Sequence, residues 1–143
     1  MTLSGMGPSL AVEGATTARV FETYVKQVLS PSLQPGRIVV MDNLIKVFSY
    51  ELKTSDGAHK PIRVRQLVEE RGCDLVYLPA YSPDYNPIEE AFSKVKNVLR
   101  KVSARSREAL VEAMGSALSA ITAEDALGFF EHAGYRRTAV HLL

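Results

Sequence analysis

Apolar and polar positions alternate along this chain in two rhythms, and the change from one to the other outlines its elements. From Val20 to Leu29 the apolar residues Val20, Phe21, Tyr24, Val25, Val28 and Leu29 recur at helical spacing. They form a stripe on one helix face, with Thr16 or Thr17 as its cap. Pro31 and the Pro35-Gly36 pair are expected to end it. Upstream, Ser9 to Glu13 (SLAVE) reads as a short strand closed by Gly14. Arg37 to Asp42 (RIVVMD) is a nearly unbroken apolar, β-branched run, which suits a strand covered on both faces. Asp74 to Leu78 (DLVYL) is a second run of the same kind. Between them Pro61 suits the first turn of a helix running to Glu70, with Gly72 as its stop. Strand, helix and strand at this length predict a βαβ unit with parallel strands.

The remainder is helical in rhythm. Pro87 opens a helix whose inward positions are Ile88, Ala91, Phe92, Val95, Leu99 and Val102. A further helix follows Ser106, with Leu110, Val111, Met114, Leu118 and Ile121 inward. A last one starts at Thr122, where Asp125 stands at the spacing of a capping box, and it ends near His132 to Gly134. The tail from residue 136 to 143 is expected to be loosely ordered. The segment Ile45 to Asp56 (IKVFSYELKTSD) has strand-like composition, yet it interrupts the path from strand end to helix start.

Composition narrows the picture without deciding it. A length of 143 residues suits a single domain with a core of its own. The net charge is +1, so any surface that attracts nucleic acid must be local. One cysteine, Cys73, excludes an internal disulfide and a cysteine-rich metal cluster. No apolar run is long enough to cross a membrane, and the first residues lack the pattern of a secretion signal. The reading is a cytoplasmic protein without membrane partners.

Two carboxylates stand where chemistry is usually placed. Asp42 ends a buried strand, the edge at which open α/β sheets hold ligands, although an Asp-Asn pair also simply closes a strand. Glu89 follows the loop YLPAYSPDYNP, in which Pro79, Pro83 and Pro87 remove backbone freedom. With Asn86 as N-cap, Glu89 takes the reciprocal position of a capping box, and spacing alone favours that role. A stiff loop also suits accurate placement of a metal ligand, and the two uses are compatible. Glu90 points about 100° away and reads as a solvated charge. Lys94, Lys96, Arg100, Lys101, Arg105 and Arg107 lie close in sequence with no acid among them, a local patch for phosphate or a solvated face. His132 and His141 read as surface residues, and Cys73 as a small residue packed before a strand. No glycine-rich phosphate loop or histidine-rich metal set supports an unrelated phosphohydrolase.

The strings VVMDN, HK and YLPAYSPDYNPIEEAFSKVKNVLRK together resemble the catalytic domain of DDE transposases, specifically those of bacterial insertion sequences in the mariner superfamily. The resemblance runs from about Gly5 to Tyr135. It implies an α/β, RNase H-like mixed sheet flanked by helices and followed by C-terminal helices. Asp42 matches the second metal-binding aspartate and Glu89 the closing glutamate, with Pro83, Asn86 and Pro87 as the supporting loop. His59, Lys60, Lys94, Lys96, Arg100 and Lys101 would contact the DNA backbone. The implied chemistry is cleavage of a DNA phosphodiester and strand transfer, dependent on two Mg²⁺ (or Mn²⁺) ions.

Two departures qualify that likeness. The family's first catalytic aspartate lies on an opening strand that has no counterpart here, so the expected domain is partial, with a strand missing and edges left unpaired. In addition, Asp42 and Glu89 are separated by 46 residues, and removing the twelve residues from Ile45 to Asp56 restores the family's usual 34. Those twelve read as an insertion within a single partial domain spanning 1–143. The expectation is therefore a transposase-type endonuclease domain that acts on DNA at the nucleoid and is inactive alone. The alternative is a non-catalytic remnant that binds DNA or associates with an intact transposase, with a homodimer also allowed.

Overall fold

The computed structural model describes residues 1–42 and 60–135 of the chain. The Ile45–Asp56 segment, His59 and the tail after Tyr135 therefore lie outside the described residues. The chain forms two compact units, one made of Pro8–Ser82 and the other of Met1–Gly7 with the segment from Pro83 onward.

The first unit opens with α1, Ala18–Tyr24, capped by Thr17, whose hydroxyl accepts from the Val20 amide at 3.3 Å. The helix widens into a π-helical turn, Val25–Leu29, before the short α2, Ser30–Ser32. Pro31 thus does not stop the helix, as its sequence position suggested. Proline lacks an amide proton and its ring crowds the carbonyl four residues back. The wider turn carries the Ser30 amide to the Val25 carbonyl, five residues back, and leads the helix into the proline. β1, Ile38–Met41, follows, then α3, Lys60–Glu69, and β2, Asp74–Tyr77.

β1 and β2 pair in parallel, with Ile38 opposite Asp74 and Met41 opposite Tyr77, as the βαβ pattern required. Gly72 ends the connection in the left-handed region at φ 68, with its amide on the Glu69 carbonyl at 2.8 Å. A side chain at Gly72 would also press within 3.3 Å of Pro35. Its carbonyl receives the Gly36 amide at 2.7 Å, which fixes the register at the start of both strands.

Among the described residues, one face of the sheet is covered. Val39, Met41, Leu75 and Tyr77 share a core with Val25, Val64, Leu67, Val68 and Cys73 beneath the helices. On the opposite face Ile38, Val40 and Val76 are 63%, 41% and 47% exposed. This corrects the expectation of a strand buried on both sides. Ser9–Glu13 likewise forms no strand, and Leu10 and Val12 are exposed. The described sheet contains β1 and β2 alone, so that segment has no ladder to join. Inside the core the buried Ser30 hydroxyl donates to the Leu67 carbonyl at 3.0 Å, tying α2 to α3. The Cys73 thiol is buried and donates to the Gln34 carbonyl at 3.0 Å, the part of a packed small residue.

The second unit contains a 3₁₀ turn, Pro83–Tyr85, and three helices: α4, Ile88–Val102; α5, Arg107–Ser119; and α6, Ala123–His132. Ala91, Val95, Ala117 and Ile121 make its core, with Met1 and Met6 packed against it. Gly5 sits at φ 119, where an added Cβ would lie 2.9 Å from the Ile121 carbonyl oxygen, so only glycine lets the N-terminal turn approach so closely. α5 presents Ala113 and Ala117 inward, while Leu110 and Val111 are exposed. Of the predicted inward residues, Met114, Leu118 and Ile121 do pack in this core, whereas Leu110 and Val111 do not. The two alanines add little bulk at the contact and let α5 approach α4 closely.

Candidate functional site

Asp42 follows the last residue of β1, at the carboxyl edge of the parallel pair, and is half-buried. The Leu78 amide donates to the Met41 carbonyl at 2.8 Å, so the ladder continues to the residue before Asp42. The chain leaving β2 therefore departs from the same sheet edge as Asp42. That departing loop holds Tyr81 at φ 58 with its ring fully exposed. In β2, the Tyr77 hydroxyl is shifted upward by burial, while the Arg65 guanidinium, 5.8 Å from the ring centre, pulls the other way.

Glu89 stands in the first turn of α4, in the second unit, and is exposed. The capping box expected there does not form. The Asn86 amide donates to the Pro83 carbonyl at 2.8 Å, closing the 3₁₀ turn, and so is withdrawn from the Glu89 carboxylate. The Asn86 side chain instead accepts from the Ile88 amide at 3.4 Å, and its carbonyl accepts from the Glu89 amide at 3.1 Å. The loop thus satisfies the helix start without the glutamate, whose carboxylate keeps no cap to make. Pro87 and the turn beginning at Pro83 set the direction of that first turn.

The neighbouring acid has a partner that sequence reading missed. Glu90 Oε1 contacts His132 Nδ1, linking the first turn of α4 to the last turn of α6. The two residues are 42 positions apart, so no local pattern could announce the pair. Lys94 is similarly engaged: its Nζ lies 2.6 Å from Asp125 Oδ2, and that carboxylate also receives the Thr122 amide and hydroxyl at 2.9 and 2.8 Å. These contacts, Lys94 foremost, lower the Asp125 carboxyl to about 2. Among the basic residues, Lys96, Arg100 and Lys101 of α4 are exposed. Lys96 and Arg100 are one turn apart on the same face. Lys60 opens α3.

Residues 1–111 match the DDE superfamily endonuclease family. That span holds Asp42, the proline loop, Glu89 and the basic face of α4. The chain belongs to the DDE superfamily endonucleases. No curated protein and no solved structure matches it. As a family member it is expected to work with metal ions, but the described residues do not fit that role by themselves. No group of three His, Cys, Asp or Glu side chains among them is placed to hold a cation. Asp42 and Glu89 belong to different units. No helix among the described residues is long and apolar enough to cross a membrane.

Proposed function

We propose that this DDE endonuclease chain is a transposase-type DNA-processing domain of RNase H-like descent. It contacts the DNA backbone and contributes Asp42 and Glu89 to phosphodiester cleavage, but does not cleave alone. The observation that carries the reading is the freedom of Glu89. The turn at Pro83–Asn86 makes the cap, so the exposed carboxylate at the head of a stiffly led helix is not spent on capping. The family match supplies the chemistry in which such a carboxylate is used. Two acids are fewer than a two-ion site uses. Mg²⁺-dependent cleavage and strand transfer would need at least one further carboxylate beside Asp42 and Glu89.

Lys96, Arg100 and Lys101, with His59 and Lys60, are the proposed phosphate contacts, whereas Lys94 is committed to Asp125. The purified chain should bind duplex DNA in a salt-dependent manner without divalent metal. Replacing Lys96, Arg100 and Lys101 by alanine should reduce the slope of log affinity against log salt by about 3. Nicking of supercoiled DNA by the chain alone with Mg²⁺, abolished by Asp42→Ala, would overturn the claim that it is inactive alone. A second reading, a non-catalytic module associating with an intact transposase, is favoured by the absence of a three-ligand group among the described residues. Co-purification with a full-length transposase, and retention of that binding in Asp42→Ala and Glu89→Ala, would support it.

A further inference from the structure

Tyr81 combines two features that folding alone does not explain. It is one of two non-glycine residues with positive φ among those described, at 58°, a backbone state that carries a steric cost for a side chain. The other, Ser103, closes α4 as its C-cap, its amide donating to the Leu99 carbonyl at 3.1 Å and its hydroxyl to the Arg100 carbonyl at 3.0 Å. Tyr81 makes no such return. Its ring is fully exposed, so no packing offsets the strained backbone. Pro79 and Pro83 stiffen the loop on both sides of it. The loop leaves β2 at the sheet edge where Asp42 stands, because the ladder runs on through Leu78 and Met41. An outward aromatic face on a loop that leaves the sheet at the edge of a proposed phosphodiester-processing carboxylate has the chemistry to receive a base lifted from its stack.

We propose that Tyr81 is a stacking platform for an unpaired nucleic-acid base next to Asp42. The inference rests on the DNA reading above and assigns that surface a preference for single strands. Stacking on a tyrosine face needs no particular base, so the contact favours unpaired strand over sequence. The backbone cost is then the cost of aiming the ring outward.

The test uses the full chain and a short single-stranded oligonucleotide containing 2-aminopurine, followed by fluorescence quenching, beside a duplex of the same sequence. Tyr81→Ala should weaken single-strand binding about five- to one hundred-fold and leave duplex binding unchanged. Tyr81→Phe should keep wild-type affinity. Alanine at the same φ carries a comparable backbone cost, so the comparison isolates the ring. Tyr81→Gly should melt at a higher temperature than wild type while losing the same affinity. Equal single-strand affinity and quenching in Tyr81→Ala and wild type would overturn the proposal, and intact salt-dependent duplex binding would leave the DNA reading standing. Loss of self-association in Tyr81→Ala, with DNA binding unchanged, would assign the ring to a protein contact and also overturn it. A chain that binds neither oligonucleotide would refute both readings.

Discussion

The Asn86 amide donates to Pro83, and that one hydrogen bond decides what Glu89 is for. In a capping box the cap residue's amide and the acid three places on are partners, and removing the acid costs stability. Here the partner is taken, so the glutamate keeps only the weak attraction of an exposed first-turn carboxylate to the helix dipole. Thr122 provides the contrast within the same unit. Its hydroxyl accepts from the Asp125 amide at 3.1 Å while its own amide donates to the Asp125 carboxylate, a complete box. Glu89→Ala should therefore change stability by less than about 0.5 kcal/mol, the usual range for an exposed position without a special role. Thr122→Ala should cost about 1 kcal/mol. Urea denaturation of the two variants beside wild type measures both. A loss near 1 kcal/mol in Glu89→Ala would return the residue to a capping role.

The Lys94–Asp125 contact joins α4 to α6 and carries a pH signature. Asp125 is held at about 2 in the folded chain, first by the hydrogen bond from Lys94 and then by those from Thr122. An aspartate in the unfolded chain titrates near about 4. The folded state thus binds its proton less readily, and the contact contributes stability that is fully present above about 4 and is lost as pH falls towards about 2. Thermal melts followed by circular dichroism should show wild type losing its advantage over Asp125→Asn across that window. A constant difference from neutral pH to about 2 would show that the carboxylate is not coupled to folding. The elements themselves were largely legible in the sequence. The βαβ order, a cap at Thr16 or Thr17, the helix after Ser106 and the Thr122–Asp125 box follow from local chemistry, and Thr17 makes the cap. What escaped was tertiary: Glu90 with His132, Lys94 with Asp125, and the choice of Ala113 and Ala117 over Leu110 as the inner face of α5. Apolarity marks what can be buried, but the neighbouring helix decides which side is.

At the scale of the molecule, the sequence pattern suggested one core, and the described residues form two hydrophobic clusters. Val25, Val64, Leu67, Val68, Cys73 and Leu75 form one cluster, and Ala91, Val95, Ala117 and Ile121 form the other. No residue belongs to both, which the linear pattern could not reveal, because periodicity shows which face is apolar and not which element it meets. The candidate acids are divided in the same way, Asp42 with the first cluster's unit and Glu89 with the second's. Local stability follows the density of buried apolar contacts, so each cluster should protect its own backbone amides. Leu67→Ala removes a buried leucine side chain, a change that costs about 2–5 kcal/mol in a packed core. Hydrogen exchange followed by mass spectrometry should then show faster exchange in α1, β1, α3 and β2, with the α4–α6 amides at wild-type rates. Ile121→Ala should give the converse pattern. Exchange rising across all elements in either variant would show that the two clusters unfold as one cooperative body.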